Sequence, residues 1–458
     1  MDLAQQRRAH ERAVPAPVVL TLGLVALVAS AVTIVGSDAL WLPALGDYIR
    51  DTGSIPVGIP FAAAPSTDWV NTTVLGQLIL SVAYSGGSLG IVVAQVVAVV
   101  TTLTILAAES NARQPRPIAT VLALVAVAVG AVAPLCIARA QLLSLVPFAV
   151  LVVLLRRQHD QPTRGIWWAV PLIALWGNLH GAVLAGVAVL GCYLVFSRLR
   201  SSPVTAVSVG LASLVATCLN PGLLRGPRYF FGVFTGQAAS DDSGMWSRLS
   251  LANPFDVLLI LASLVLVAAA LRQRRSLWEY AAGVGLLVAT FSAARHGVWL
   301  LLFLMIPAAA GMTKNSVGAE HTRQPSRRLV AAAVVACFVG STALMIVRAP
   351  SFRAADEQST RIAEMTRGEA VLATEPLAES LAAAGATVWM SNPLDAFIPA
   401  DQTAYLAFMK GDAVGARSAL LSADVVVTLP RTAQSRAALL GGYAPTATVG
   451  PYIVMRRA

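Results

Sequence analysis

Apolar runs of 15 to 22 residues recur eleven times between residues 17 and 347, with short basic clusters between them. A helix needs about 17–25 apolar residues to cross the ~30 Å hydrocarbon core of a bilayer, and no soluble core is built from so many such runs in series. They lie at 17–35, 87–108, 117–136, 140–155, 165–179, 181–197, 203–219, 254–271, 276–293, 296–312 and 329–347. Several sit at or below the lower length limit, so neighbouring helices or local bilayer thinning must accommodate them. Only 12% of the 458 residues are charged and the mean hydropathy is +0.71, whereas soluble domains are about a quarter charged. The run at 17–35 is too long for the 7–15-residue core of a secretory signal, which predicts an uncleaved anchor.

The basic residues test the orientation. With residues 1–16 in the cytoplasm, the inner connections carry 17 Lys and Arg, among them Arg113, Arg116, Arg156, Arg157, Arg272 and Arg275, and the outer ones carry six. That is the sense the positive-inside rule requires. It holds only if residues 74–84, followed by Ser85-Gly86-Gly87, form an interfacial or re-entrant helix and not a span. The net charge of +10 is thereby explained by membrane orientation, and nucleic-acid binding is set aside. The expectation is a polytopic α-helical protein of the plasma membrane with about eleven spans over 17–348, a cytoplasmic N-terminus and a first outer loop at 36–73.

After Arg348 the composition becomes ordinary. Segments 361–367, 376–384, 403–421 and 432–440 read as helices; 370–373, 387–390, 424–429 and 452–455 read as short β-rich runs. Such alternation predicts a small α/β domain over 349–458, which eleven spans place outside the cytoplasm. The four cysteines all lie in apolar segments without a CxxC and read as small buried hydrophobes. No HExxH, Walker or dinucleotide loop is present.

Polar residues at the outer span ends form a second pattern. Asp38 follows the first span, Arg139 opens the fourth, Asn178 and His180 sit in the tight turn 176–181, Asn220-Pro221-Gly222 ends the seventh, and Arg295-His296 joins the ninth and tenth. Each has a plain reading: Asp38 as a helix cap, the arginines snorkelling to headgroups, Asn178 and Asn220 as turn residues. Their common side argues for a site. A carboxylate can serve as general base, and arginines bind phosphate through charge-assisted, bidentate hydrogen bonds. Asp38, Asp47, Asp51 and Asp68 are the acids of the loop at 37–73, against Arg50 alone.

The stretches 38–41, 46–49, 53–56, Phe61, 69–71, 139–142, 176–181, 220–222 and 295–296, taken in order, resemble the GT-C-fold membrane glycosyltransferases. The likeness is to the bacterial branch related to protein mannosyltransferases and aminoarabinose transferases, and it covers roughly residues 17–312. It implies transfer of a sugar from a polyprenyl-phosphate-linked donor to a glycan, lipid or protein acceptor on the extracytoplasmic face. By the resemblance Asp38 is the base, and Asp47, Asp51 and Asp68 become surface charges. Arg139 and Arg295 are then expected to bind the donor phosphate, with His180 and His296 as candidates for further phosphate contacts and Trp41, Trp69, Asn178 and Asn220 as candidates to support them. The chain departs from such relatives at Leu42, where they often carry His, at Ile59, where a second acid is common, and at Thr73, where a Glu is. No cofactor is implied. Relatives differ in metal use, and no acidic pair here, Asp241-Asp242 included, has compelling ligand spacing. A degenerate scaffold and a lipid-linked-precursor binding or transport protein stand as alternatives. Coupled transport is disfavoured because the span centres lack ionisable residues, Asp256 and Glu279 lying near ends.

Overall fold

The computed structural model describes residues 14–66, 69–113, 116–226, 229, 247–313 and 327–458. Asp68 and Asp241-Asp242 therefore lie outside the described residues. Each of the eleven apolar runs is helical: α1 (Ala16–Val32), then, after a strand β1 (Ile34–Val35), the loop helices α2 (Asp38–Thr52) and α3 (Val74–Tyr84), and α4 (Gly87–Ala112). There follow α5 (Pro117–Gly130), α6 (Val132–Cys136), β2 (Ile137–Ala138), α7 (Leu142–Asp160), α8 (Ala169–Gly177) and α9 (Val183–Ser201). The bundle closes with α10 (Pro203–Ala216), α11 (Pro254–Ala270), α12 (Leu277–Ser292), α13 (Gly297–Thr313) and α14 (Arg327–Met365). Among the described residues five helices, α4, α7, α9, the segment Ala294–Thr313 and α14, are long and apolar enough to cross a membrane by length and composition. The protein is an integral membrane protein.

Local chemistry sets the ends of these helices. Proline occupies the first turn of α1, α5, α10 and α11, where its missing N–H costs nothing. Asn253 caps α11 through the Phe255 N–H at 3.1 Å, and Ser276 with Glu279 forms a capping box on α12. The run 117–136 is broken between Gly130 and Val132, and residues 164–168 form a 3-10 turn before α8.

The far end of α7 carries an ion-pair cluster. Glu109 accepts from Arg113 (2.8 Å) and Arg157 (2.7 Å), and Arg156 pairs with Glu279 between the rings of Trp278 and Phe303. At the near end, β1 and β2 form a two-stranded parallel ribbon, Ile34 opposite Ile137. That ribbon brings the residues after α1 beside Arg139. The approach is close: a Cβ on Gly36 would sit 3.0 Å from Arg139 Cγ. α2 packs across α3 with similar tightness, since a Cβ on Gly46 would meet the Gln77 carbonyl.

α14 packs along α1 and runs without a break through residues 348–349 into the C-terminal domain, anchored where Arg348 donates to the carbonyls of Ser30 (2.7 Å) and Thr33 (2.5 Å). The domain is a four-stranded mixed sheet of β3 (Val371–Ala373), β4 (Val425–Thr428), β5 (Tyr443–Val449) and β6 (Tyr452–Arg457), in the order β3-β4-β6-β5. β3 and β4 run parallel and the other pairs antiparallel. Around it lie α15 (Leu377–Ala383), α16 (Pro399–Lys410), α17 (Arg417–Ser422) and α18 (Ala433–Leu440). Three readings of this domain are corrected. The single helix at 403–421 is two, because Gly411 takes φ +76° and ends α16. The strand β5, with Pro445 inside it and no apolar alternation, is missing from the sequence reading. Residues 387–390 contribute one bridge position, Val388, and no full strand.

Val388 pairs on one side with Val371 and on the other with Ala62 of the first loop. Phe61 accepts from the Val388 N–H (2.9 Å), and the N–H groups of Ala63 and Ala64 donate to Val388 and Trp389 (2.8 and 2.9 Å). The loop thus adds a rung to the C-terminal sheet. Leu42, Ile59, Trp41 and Trp69 share one buried apolar cluster with Trp389, Phe397 and Tyr405, and α15 packs on α2.

Candidate active site

Asp38 is the first residue of α2, where the helix dipole favours a carboxylate. Its carboxyl caps nothing: among the described residues it accepts no hydrogen bond and makes no ion pair. It keeps a window to solvent but is otherwise enclosed, and burial holds its pKa above the ordinary value while the charges of Arg139 and Arg295 oppose that rise. Arg139 lies directly after β2, and its guanidinium likewise makes no hydrogen bond or ion pair among the described residues. Arg295, in the 3-10 turn before α13, is within reach of both charges. Its backbone carbonyl accepts a long bond from Gln141 (3.4 Å), which ties the starts of α7 and α13 together.

His180 completes this group from the α8–α9 turn. Its Nδ1 accepts from the Ala182 N–H (3.2 Å) and meets Ser144 Oγ at 2.9 Å, and that hydroxyl in turn accepts from Trp176 Nε1 (2.7 Å). With Nδ1 an acceptor, the proton sits on Nε2, which has no partner among the described residues. Burial, with the Arg295 charge beside it, pushes the imidazole pKa down to about 4. His180 is therefore neutral at physiological pH: it can donate one hydrogen bond but brings no charge. His296 turns back, donating Nδ1–H to the Ala289 carbonyl at 3.0 Å.

The remaining positions are structural in their contacts. Asn178 donates to the carbonyls of Ala174 (2.9 Å) and Leu219 (2.6 Å), locking the α8–α9 turn to the end of α10. Asn220 closes its own turn through Thr217 and Gly222. Trp41 and Trp69 meet edge to face at 6.2 Å, and Trp69 Nε1 donates to Tyr229 Oη (3.3 Å), which donates to Asp395 of the C-terminal domain. Asp47 accepts from Ser81 (2.5 Å) and Arg50, and Asp51 is exposed. Thr73 caps nothing at the start of α3.

One group at this site is not found by sequence reasoning. Ser37, the N-cap residue of α2, donates its hydroxyl to Glu375 Oε2 at 3.0 Å, and that hydroxyl accepts no N–H of its own helix. Glu375 stands at the start of the α15 segment, near enough to Asp38 and Arg139 to feel both charges. Burial and the Asp38 charge hold its pKa above the ordinary value. One turn on, Glu379 is fully buried; its Oε1 accepts from Asn392 N (3.1 Å) and Nδ2 (3.0 Å), while Oε2 has no partner among the described residues. Burial and the neighbouring Glu375 raise it to about 8. No sequence signal marks Glu375, because a Glu before Pro in a polar tail reads as a turn.

Among the described residues no three His, Cys, Asp or Glu gather as a metal-ion site. A surface groove bounded by Gly86, Gly87, Arg353, Asp356 and Glu364 is lined by none of the clustered residues.

No protein-family profile matches the sequence, and no curated protein does. The fold has clear matches among solved structures. ArnT from Cupriavidus metallidurans bound to undecaprenyl phosphate aligns with a TM-score of 0.54 over 95% of this chain and 97% of that one, at 14% identity. Its apo form aligns equally, over 94% and 95%. The mycobacterial arabinofuranosyltransferase AftD matches with a TM-score of 0.54 at 14% identity, over 96% of this chain and 41% of its own. The chain has the GT-C-like fold of membrane glycosyltransferases.

Proposed function

We propose that this protein is a glycosyltransferase that moves a sugar from a polyprenyl-phosphate-linked donor to an acceptor hydroxyl or amine, with Asp38 as general base. The observation that carries the reading is the juxtaposition of Asp38 and Arg139, whose side chains have no hydrogen bond or ion pair among the described residues, at one end of a GT-C-like bundle. The acceptor's proton passes to Asp38 as its oxygen or nitrogen bonds the anomeric carbon. The bond from that carbon to the phosphate oxygen breaks, and the electron pair leaves on the lipid phosphate. Arg139 and Arg295 neutralise the charge gathering there, and His180 Nε2–H donates to a phosphate oxygen.

The lipid donor is drawn from the structural likeness to a protein solved with undecaprenyl phosphate. An outward-facing site is part of this reading, supported by the gathering of Arg113, Arg156 and Arg157 at the opposite end of α7. The C-terminal domain is then extracytoplasmic and the N-terminus cytoplasmic.

Asp38→Asn is the direct test, read as the glycan and lipid-linked-sugar composition of a deletion strain carrying the variant. Expression and membrane insertion are expected to persist while transfer falls about 10²–10⁴-fold, the usual contribution of a general base. Transfer at the wild-type level would remove Asp38 from that role.

A further inference from the structure

Two arginines are buried among the described residues, Arg156 and Arg198. Both lie at the end of α7 remote from His180 and Ser144, Arg198 being placed there by Ser197, whose Oγ meets His159 Nδ1 at 3.0 Å. Arg156 has a counter-charge in Glu279. Arg198 makes no ion pair among the described residues, and the nearby carboxylate Asp160 is engaged by Arg113 at 2.6 Å. The only hydrogen bond of its guanidinium among the described residues is a long one, from Nη2 to the Thr163 carbonyl at 3.4 Å, and Nε is enclosed without a partner. The remaining opening, 7% of the residue's surface, leaves Nη1 reachable.

The helix places this charge where an apolar side chain would be expected. Arg198 continues the buried face of α9 after Gly186, Leu190 and Leu194, and a π-helical turn over Leu194–Arg198 ends that face on the guanidinium. Such turns recur at functional sites. A buried charge without a counter-ion is costly, and an anion from outside the chain would offset the cost. The surroundings select the kind of anion. Phe196 and Leu199 of α9 are exposed, as are Trp167 and Trp168 just after Thr163, and tryptophan is enriched where a bilayer meets water. Arg164 and Arg200 flank the opening, also exposed. We propose that Arg198 is the headgroup site of a bound anionic phospholipid, the guanidinium donating to the phosphodiester while the acyl chains lie along Phe196 and Leu199. A free phosphate shares the headgroup chemistry but has no use for the exposed apolar side chains. In the orientation proposed above, the lipid belongs to the cytoplasmic leaflet. The site is separate from the donor phosphate at Asp38 and stands whether or not that reading holds.

The experiment is native mass spectrometry of the delipidated full-length protein in detergent, titrated with phosphatidylglycerol, phosphatidylcholine or inorganic phosphate. Wild type is compared with Arg198→Met, Arg198→Lys and Arg272→Met, the last being an exposed arginine of the α11–α12 connection that reports general charge. Arg198→Met is expected to weaken phosphatidylglycerol binding about tenfold, the worth of one charge-assisted hydrogen bond, and Arg198→Lys by less. Arg272→Met is expected to change it by less than about twofold. Equal affinity in wild type and Arg198→Met, or an equal loss in Arg272→Met, overturns the proposal. Binding of inorganic phosphate without preference for phosphatidylglycerol over phosphatidylcholine makes the occupant a free anion and overturns the lipid assignment. Thermal unfolding separates a ligand site from a structural arginine. Without lipid, Arg198→Met is expected to unfold at or above the wild-type midpoint, because an apolar side chain replaces an unpaired buried charge, and phosphatidylglycerol is expected to raise the wild-type midpoint more than that of the variant. A lower midpoint in lipid-free Arg198→Met, with the same rise on adding lipid, makes Arg198 structural and overturns the site.

Discussion

Replacement of Arg139 separates phosphate binding from folding, because among the described residues this guanidinium has no hydrogen-bond or ion-pair partner to abandon. Removing one half of a buried ion pair strands the other half and destabilises the fold. At Arg139 nothing is stranded by a hydrogen bond, but its stem is half-buried and its charge lies beside Asp38, so Arg139→Ala is expected to destabilise the fold by about 1 kcal/mol, an ordinary single-substitution cost. The ligand term is larger. A guanidinium fork offers two charge-assisted hydrogen bonds to a phosphate, each contributing about 1.5–3 kcal/mol. The low end of that range gives about 3 kcal/mol, roughly a hundredfold loss of affinity. Arg139→Lys keeps the charge without the fork and recovers about half of that free energy, roughly tenfold. The assay is equilibrium binding of undecaprenyl phosphate in detergent, with thermal unfolding run alongside. A second effect accompanies the first. Arg139 lowers the Asp38 pKa, against burial, so its loss moves the acid limb of transfer activity to higher pH. Affinity within about threefold of wild type, with the acid limb moved, would refute phosphate binding and leave Arg139 as a partner of the base alone.

Two further outcomes follow from buried polar groups. Ser144→Ala removes the acceptor of Trp176 Nε1 and a partner of His180 Nδ1, and an unpaired buried N–H costs about 1–3 kcal/mol; the thermal midpoint in detergent should fall accordingly, and an unchanged midpoint would show that Trp176 finds another acceptor. For Glu379, the folded-state pKa of about 8 exceeds the unfolded carboxyl value, so the folded protein binds the extra proton and this contribution to stability is complete below about pH 4.3. It is lost as pH rises towards 8; Glu379→Gln should flatten the decline of thermal stability across that window, and an identical pH profile in the variant would show that Glu379 does not titrate with folding.

The apolar runs by themselves determined the bundle. A run of twenty Val, Leu, Ala and Ile residues can satisfy its backbone within itself in lipid only as a helix, and each of the eleven runs is mainly helical, the one at 117–136 as two helices. The same scarcity of charge made Asp38, Arg139, Arg295 and His180 stand out, and the ribbon of β1 with β2 and the α8–α9 turn bring them together. What each residue does with its hydrogen bonds was not legible. Asn178 and Asn220 looked no different from His180, yet the first two spend their amides on turn carbonyls while the His180 Nε2–H has no partner among the described residues. The tail shows the limit most clearly. Its composition is ordinary, so local patterning revealed helices and most strands but could not rank one Glu above another. Only tertiary structure decided that Phe61–Ala64 would join the C-terminal sheet and that Ser37 would hold Glu375 beside Asp38. A carboxyl gains its character from burial and neighbouring charge, and both are set by contacts between residues far apart in the chain.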